Sequence, residues 1–340
     1  MTCARFMELA LYDDETGYYM VDEVRAGREW VTAPTLSPIF GRVLARLVEP
    51  GLTGRQAPML VEAGTGGGEL VRDLAYGLHD EAPDVFGDLE LVPVDRSPSA
   101  RQRCRDTLEE AGIDLADVDL RDTLPERVEG VLVTNELLDA LPTHVCQHTE
   151  QGLAEIHLEP GDPTLAPTLR GPSQEAIMEL ASRFQTQLEP GLRFEAPLAA
   201  YDWYREAASR LDEGLIVTVD YGARRRKLLE DHPKGTIHAY RQGQRVEEFW
   251  YDPGRMDLTY RVPFDEIARV GEEEGLQTLV YGSQGRVLTD LGIREMASEV
   301  GAGAPLAAKK LVDPDGAGGT FRVLVQGRGV DPDRLPLASR

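Results

Sequence analysis

The stretch Met59-Leu-Val-Glu-Ala-Gly-Thr-Gly-Gly-Gly-Glu-Leu70 decides the fold class. It begins with three apolar residues, Met59-Leu60-Val61, which are typical of a short buried strand. Residues 63–68 then form a glycine-rich loop. After the loop, leucines recur at helical spacing from Leu70 to Leu78, which predicts a helix. The stretch therefore reads as a strand, a glycine loop and a helix in direct succession.

The same alternation continues along the rest of the chain. Further strands are predicted by the apolar runs at residues 89–94, 131–133, 215–219, 278–281 and 321–325. Helices are predicted over residues 98–111, which Ser97 opens as a cap, and near residues 264–274. Strands that alternate with helices predict an α/β fold whose parallel sheet is covered on both faces.

Changes in texture divide the chain into five segments. Residues 159–173 hold four prolines, which predicts a long loop. The five segments are a helical N-terminal extension over 1–56, a cofactor-binding core over 57–222, a polar insertion over 223–262, the completion of the sheet over 263–327 and a flexible tail over 328–340.

The charge balance excludes one class of partner. The 340 residues carry 36 basic and 59 acidic side chains, which gives a formal net charge of −23. Such a field repels nucleic acid, and the one basic cluster, Arg224-Arg225-Arg226, is expected on a solvated loop. The acidic, lysine-poor composition fits a halophilic source, where molar salt screens self-repulsion. A GC-rich genome, which favours arginine codons, is the alternative.

Cysteine usage and hydropathy predict the compartment. Three scattered cysteines are too few for a disulfide framework, which favours a reducing compartment. Neither a signal peptide nor an apolar run long enough for a membrane helix is visible, so we expect a cytoplasmic location without membrane insertion. His144, Cys146 and His148 alternate as on one face of a strand, but no second cluster completes a metal site. No metal is predicted.

Five residues at the first two strand ends predict the cofactor. Gly64, Gly66 and Gly68 allow the backbone to approach a ligand closely at a helix N-terminus. Glu62 precedes them, where a carboxylate would repel a pyrophosphate but would pair with an ammonium group. Asp95 ends the next strand, where a carboxylate accepts ribose hydroxyls. A ribose, an ammonium group and no phosphate together describe S-adenosyl-L-methionine.

A second polar group follows the strand at residues 131–133. Asn135, Glu136 and Asp139 lie at the carboxyl end of the predicted sheet, where ligands of open α/β folds bind. Unpaired carboxylates are costly to bury, so we expect Glu136 or Asp139 to face a cationic acceptor. The amide of Asn135 is expected beside the methyl group, and all three residues are predicted to take part in catalysis. The alternative is that Glu136 and Asp139 cap a short helix.

Short motifs recur in order over most of the chain, and the run from Asn135 to Pro142 is the most specific of them. The others are Gly17-Tyr18-Tyr19, Thr32-Ala-Pro34, Ser37-Pro38-Ile-Phe40-Gly41, Glu62-x-Gly64-x-Gly66-x-Gly68, Asp220-Tyr221-Gly222, Gly235-Thr236, Pro253-Gly254-x-x-Asp257-Leu-Thr259, Ser283-Gln284-Gly285 and Phe321-Arg-Val323-Leu324. Together these motifs resemble those of the MidA family of S-adenosylmethionine-dependent methyltransferases, which are linked to respiratory complex I assembly.

This resemblance implies a class I Rossmann-like methyltransferase sheet and dimethylation of an arginine on a complex I subunit. It also implies that Thr32, Asp220 and Tyr221 bind the acceptor, and that the N-terminal extension forms a lid over the acceptor site. Tyr260-Arg261 and Glu29-Trp30 depart from the family pattern, which leaves the acceptor open. A small-molecule methyltransferase and a cofactor-binding assembly factor without turnover are the alternatives.

Overall fold

The computed structural model describes residues 1–21, 32–161, 165–241, 243–301 and 303–337. The helices, in chain order, are α1 (Cys3–Tyr12), α2 (Ala33–Leu36), α3 (Ile39–Leu52), α4 (Glu69–Glu81), α5 (Pro83–Phe86), α6 (Pro98–Glu110), α7 (Glu175–Ser182), α8 (Leu198–Arg210), α9 (Arg225–Asp231), α10 (Phe264–Glu273), α11 (Gln284–Asp290), α12 (Ile293–Val300), α13 (Ala304–Val312) and α14 (Ala317–Thr320). The strands are β1 (Met59–Ala63), β2 (Glu90–Val94), β3 (Val128–Asn135), β4 (His144–Thr149), β5 (Gly152–Pro160), β6 (Leu165–Arg170), β7 (Arg193–Ala196), β8 (Leu211–Ala223), β9 (His238–Arg241), β10 (Gln244–Val246), β11 (Asp257–Thr259), β12 (Val262–Pro263), β13 (Gln277–Ser283) and β14 (Phe321–Arg328).

The described chain divides into two compact units, each built from three separate segments. Unit 1 contains residues 1–21, 138–204 and 221–267, and unit 2 contains residues 32–137, 205–220 and 268–337. Compared with the predicted boundaries, helix α3 of the predicted extension lies in unit 2. Residues 138–204, which were predicted inside the core, lie in unit 1.

Unit 2 is built on a mixed sheet with the strand order β13-β14-β8-β3-β1-β2. Strand β1 pairs in parallel with both β2 and β3, and β3 pairs in parallel with β8, whereas β13 and β14 are antiparallel. Central strands read as continuous apolar runs because both of their faces are covered; Val61, Leu132 and Val217 are fully buried. The carboxyl ends of β1, β2 and β3 consequently lie at one edge of this sheet.

Helices α3 and α4 pack closely in unit 2 because glycines remove side chains from the contact. A Cβ atom on Gly77 of α4 would lie 2.6 Å from the Cβ of Ala45 in α3. The apolar positions of α4, from Leu70 to Leu78, are buried as their spacing predicted. This packing fixes the axis of α4, the helix that begins directly after the glycine loop.

Unit 1 contains two small antiparallel sheets, with the strand orders β6-β5-β4-β7 and β10-β9-β11. Helix α1 packs on β4, β5 and β11. Strand β12 pairs with the last two residues of β8, Gly222 and Ala223. The three stretches of chain are joined in one core by these contacts, so unit 1 brings together residues that are more than 200 positions apart, as in the hydrogen bond between Tyr19 and Asp257.

Most of the predicted elements are confirmed, and three local expectations were wrong. Residues 159–173 were predicted as a loop, but β5 and β6 pair across most of this stretch, with Pro160 opposite Leu165. The tail was predicted to be flexible from residue 328, but β14 includes that residue and Leu335 is buried. Arg225 was expected on a solvated loop, but it is buried in α9 with its Nε 2.8 Å from Oε1 of Glu266.

Two further sequence features are the Glu29-Trp30 pair and the length of the apolar helices. Glu29-Trp30, which departs from the family pattern, lies outside the described residues. Among the helices of the described ranges, none is long and apolar enough to cross a bilayer.

Candidate functional site

The glycine loop of unit 2 lies between β1 and α4 and is fixed by the neighbouring strand. The backbone N–H groups of Gly64 and Thr65 both donate to the carbonyl oxygen of Val94 in β2, at 2.8 and 3.1 Å. Gly64, Gly66 and Gly68 all have positive φ angles, of 75°, 56° and 84°. L-residues rarely adopt this left-handed conformation, so the turn depends on glycine at alternate positions.

The three glycines differ in what a side chain would meet. A Cβ atom on Gly68 would lie 2.7 Å from the Sγ atom of Cys104, and one on Gly64 would lie 3.1 Å from Leu137. A Cβ atom on Gly66 would have nothing within 4 Å. Gly68 therefore serves packing, whereas Gly66 borders open space above the loop.

Glu62 is buried beneath the loop and caps α4 from the end of β1. Its Oε2 atom accepts hydrogen bonds from the Thr65 hydroxyl at 2.7 Å and from the backbone N–H of Val71 at 3.0 Å. The N-cap residue of α4 is Gly68, which has no side chain to fill this role. Burial raises the pKa of Glu62 to about 8, although both hydrogen bonds act to lower it.

Asp95 follows β2 and contacts the loop through both carboxylate oxygens. Its Oδ2 atom accepts from the backbone N–H of Gly66 and its Oδ1 atom accepts from that of Ser97, both at 2.9 Å. The carboxylate is half-buried. Its orientation is therefore set by the main chain, and each oxygen has a second lone pair for a ligand.

These residues fit an S-adenosyl cofactor. A half-buried carboxylate at the end of β2 suits a ribose diol, and the space beside Gly66 leaves room for a ligand against the backbone. Glu62, once ionised, would place negative charge where an ammonium group would otherwise meet only the positive end of a helix. None of these five residues is basic, whereas arginine is the side chain over-represented where phosphate groups are bound.

The end of β3 holds a strained acidic residue beside an unsatisfied amide. Glu136 has a φ angle of 52°, which is uncommon for a residue other than glycine. Its backbone N–H donates to Val219 at 3.0 Å, and its Oε1 atom accepts from Nδ2 of Asn135 at 3.1 Å. The Oδ1 atom of Asn135 is buried without a hydrogen-bond partner. Strain and an unsatisfied buried acceptor at one turn are features that concentrate at functional sites.

Asp139 belongs to unit 1, where it accepts hydrogen bonds from the last residue of β11 and from the residue that follows the strand. Its Oδ2 atom accepts from the Thr259 hydroxyl at 2.7 Å, and its carbonyl oxygen accepts from the N–H of Tyr260 at 3.2 Å. The Tyr19 hydroxyl donates to Oδ1 of Asp257 at 2.6 Å. Burial and the charges of Asp257 and Asp139 hold the pKa of Tyr19 well above its usual value. Two carboxylates thus lie close to one tyrosine.

The predicted acceptor-binding residues lie in different surroundings. Thr32 precedes α2, and its carbonyl oxygen accepts from the Thr35 hydroxyl at 3.0 Å. Asp220 is fully buried in β8 and Tyr221 follows it half-buried.

Of the alternating residues of β4, His144 is hydrogen-bonded to a neighbouring carboxylate. The Nδ1 atom of His144 lies 2.7 Å from Oε1 of Glu155, and Cys146 is buried. Glu155 also accepts from the N–H of Ser173 at 2.7 Å. In the described ranges, no group of three or more His, Cys, Asp and Glu side chains is arranged to hold a metal ion.

Several candidate residues escaped the sequence analysis. Thr65 stands between two glycines of the loop, and no sequence signal shows that its hydroxyl reaches Glu62. Tyr19, Asp257 and Thr259 were quoted only as parts of matching motifs. Their separate positions along the chain gave no sign that they surround Asp139.

A family model described as "Putative S-adenosyl-L-methionine-dependent methyltransferase" matches residues 43–282, which is more than half of the chain. The chain belongs to this methyltransferase family. A crystal structure of a Burkholderia thailandensis protein bound to S-adenosyl-homocysteine is 30% identical, with a TM-score of 0.87 over 97% of this chain and 88% of that chain. A native structure from the same organism is also 30% identical, with a TM-score of 0.88 over 99% of this chain and 90% of that one.

Curated relatives of this methyltransferase carry a more specific name. "Protein arginine methyltransferase NDUFAF7, mitochondrial" from Danio rerio is 26% identical over 323 residues, covering 86% of this chain and 73% of the relative. The Xenopus tropicalis protein of that name is 25% identical over 329 residues, covering 86% and 72%. The predicted Rossmann-like methyltransferase fold, the MidA-like family and the S-adenosyl-L-methionine cofactor are thereby confirmed.

Proposed function

We propose that this methyltransferase modifies a protein arginine, and that its acceptor is an arginine of a respiratory complex I-type subunit. The observation that carries the proposal is the likeness, over 86% of the chain, to relatives named protein arginine methyltransferases. The motif resemblance to the MidA family supports a complex I-type subunit as the acceptor.

In this proposal, five residues of unit 2 bind the cofactor, which supplies an electrophilic methyl group on a sulfonium. Gly64, Gly66 and Gly68 form the turn against which it lies, and the space beside Gly66 supports this role. Asp95 accepts from the ribose hydroxyls through the free lone pairs of its two oxygens. Glu62 accepts from the ammonium group of the amino-acid part.

The acceptor chemistry is assigned to Asn135, Glu136 and Asp139. A guanidinium group has only hydrogen-bond donors, so an unsatisfied amide oxygen and carboxylates are suitable partners for it. As the new N–C bond forms, the C–S bond breaks with its electron pair on sulfur, and the guanidinium loses one proton. Glu136 or Asp139 takes that proton. Thr32, Asp220 and Tyr221 are kept as proposed acceptor-binding residues.

A methyl-transfer assay with labelled cofactor tests this function. Purified protein is incubated with methyl-labelled cofactor and a lysate of its own source, and the labelled material is hydrolysed to amino acids. We expect label on methylarginine of one protein band. Label on a small metabolite would replace the proposal with the small-molecule alternative. Tight cofactor binding without any transfer would favour an assembly factor.

Charge-removing variants then test the catalytic assignment. Asp139→Asn and Glu136→Gln keep the shape of each side chain, and at least one should lower turnover about 100-fold or more, as for a positioned acid–base group. The cofactor dissociation constant should stay within about twofold. Glu179→Gln, at an exposed position of α7, is the matched control for loss of one carboxylate. Wild-type turnover in both test variants would leave these carboxylates with a helix-capping role only.

A reducing compartment, and within it the cytoplasm, is part of the same proposal. Cys3, Cys104 and Cys146 are all buried free thiols. Burial raises the pKa of Cys3 and Cys104 to about 12, so neither is activated for disulfide exchange.

A further inference from the structure

A short chain of polar groups lies beneath the glycine loop of unit 2. The Thr65 hydroxyl lies 2.7 Å from Oε2 of Glu62 and 3.8 Å from Sγ of Cys104. The backbone N–H of Val71 lies 3.0 Å from the same Oε2 atom. We call the Thr65 hydroxyl and the Val71 amide the Glu62 clamp. Thr65 is itself buried, so the clamp is shielded from competing water.

The direction of each hydrogen bond in the Glu62 clamp follows from the chemistry of its groups. Once Glu62 is ionised, which a bound ammonium group favours, its carboxylate only accepts, so the single hydroxyl proton of Thr65 is donated to it. The thiol of Cys104 is then the weak donor toward the Thr65 oxygen. Both clamp bonds end on Oε2, and neither involves Oε1. The plane of the carboxylate is thereby fixed while one oxygen stays outside the clamp.

The groups around Glu62 raise its pKa, and the Glu62 clamp opposes them. Burial disfavours its charged form, and the negative charges of Glu69 in α4 and Asp95 after β2 add to that effect. The charge of Glu62 in turn raises the pKa of Cys104 in α6. The two clamp bonds are the opposing interactions that lower the pKa of Glu62. Loss of the Thr65 bond would make the carboxylate less ionised and leave it held by the Val71 amide alone.

We propose that Thr65 is a positioning residue, whose hydroxyl holds the Glu62 carboxylate so that Oε1 receives the ammonium group of the cofactor's amino-acid part. The proposal rests on the cofactor role given to Glu62 under the proposed function. It does not depend on the methyl acceptor, so a failure to find arginine methylation would leave it standing.

Two ligands and two variants test the proposal. S-adenosyl-homocysteine carries the ammonium group, whereas 5′-methylthioadenosine contains the same nucleoside thioether without the amino-acid part. Thr65→Val removes the hydroxyl at nearly constant shape, and Thr65→Ser keeps it. Dissociation constants of both ligands are measured by calorimetry on the full chain. We expect Thr65→Val to weaken S-adenosyl-homocysteine about tenfold and 5′-methylthioadenosine by less than about twofold. Thr65→Ser should restore the wild-type values.

A double-mutant cycle separates positioning from a general effect on the loop. In a Glu62→Gln background, Thr65→Val should weaken S-adenosyl-homocysteine by less than about twofold, because its effect acts through the carboxylate. Equal losses for both ligands, or no loss for either, would overturn the proposal. If Thr65→Val does not fold, Thr65→Ala takes its place in the same comparison. Wild-type protein that binds 5′-methylthioadenosine but not S-adenosyl-homocysteine would instead refute the ammonium role of Glu62.

Discussion

Gly66→Val should weaken cofactor binding strongly at little cost to the fold. The φ angle of Gly66 is 56°, and a left-handed conformation costs an L-residue about 1–2 kcal/mol, with a β-branched side chain at the upper end. Replacement of glycine also stiffens the unfolded chain, which returns about 0.4–1 kcal/mol. Because a Cβ atom at this position meets nothing within 4 Å, no steric clash adds to the balance. The free energy of unfolding should fall by about 1 kcal/mol.

The effect on binding should be larger than the effect on stability. Forcing extra methyl groups into an occupied site typically costs about 1–3 kcal/mol, which raises a dissociation constant about 5- to 150-fold. Gly112 provides the matched control, since its φ angle is 72° and a Cβ atom there also meets nothing within 4 Å. Gly112→Val should therefore show the same loss of stability with unchanged affinity.

The assay is calorimetric titration of S-adenosyl-homocysteine into the two variants, with urea unfolding of the same samples. The reasoning is refuted if Gly66→Val binds as tightly as Gly112→Val, because the space beside Gly66 would then not be the cofactor's. It is refuted as well if Gly66→Val unfolds where Gly112→Val does not, because the position would then be packed rather than open.

Three further predictions address the carboxylates and the surface. Asp95→Ala should weaken S-adenosyl-homocysteine by about 1.5–3 kcal/mol, the usual range for hydrogen bonds to a charged group, and a Kd within twofold of wild type would show that Asp95 does not hold the ribose. Because the folded-state pKa of Glu62 is about 8 against an unfolded value near 4.5, the native state binds more protons between these values, so stability without ligand should fall as pH rises through that window. Glu62→Gln should flatten this part of the urea-midpoint profile while it weakens S-adenosyl-homocysteine, and an unchanged profile would contradict the burial argument. If the net charge of −23 is a halophilic adaptation, the melting temperature should climb from about 0.1 to about 2 M KCl, whereas a flat response would leave only codon bias.

The parts of the fold that were predicted correctly are those with a local signal. The stretch from β1 to α4 combines an apolar run, alternate glycines and a helical leucine repeat, and each of these patterns is set by neighbouring residues. The loop predicted over residues 159–173 was wrong because that prediction assumed that proline ends a strand. β6 lies at the edge of its sheet, where Pro167 is tolerated because an edge strand need not donate on its outer side.

The candidate site also contains one part with a local sequence signal and one part without it. Glu62, the glycine loop and Asp95 lie at strand ends that are close to one another in sequence, so their proximity could be predicted. The hydrogen bonds between Asp139 and Thr259, or between Tyr19 and Asp257, join residues 120 and 238 positions apart. No periodicity encodes such contacts, because they depend on how loops of separate segments fold together.

The position of β14 has a consequence for synthesis of the chain. Among the described strands, β14 comes last in sequence, yet it lies between β13 and β8 in the interior of the sheet. On the ribosome, the sheet therefore stays open until residues 321–328 have left the exit tunnel, and β8 and β13 expose unpaired edges until then. A nonsense codon shortly before the codon for Phe321 would therefore remove an inner strand of the sheet and not an edge strand. The truncated product would expose the unpaired edges of β8 and β13, and we expect chaperones and proteases to act on it.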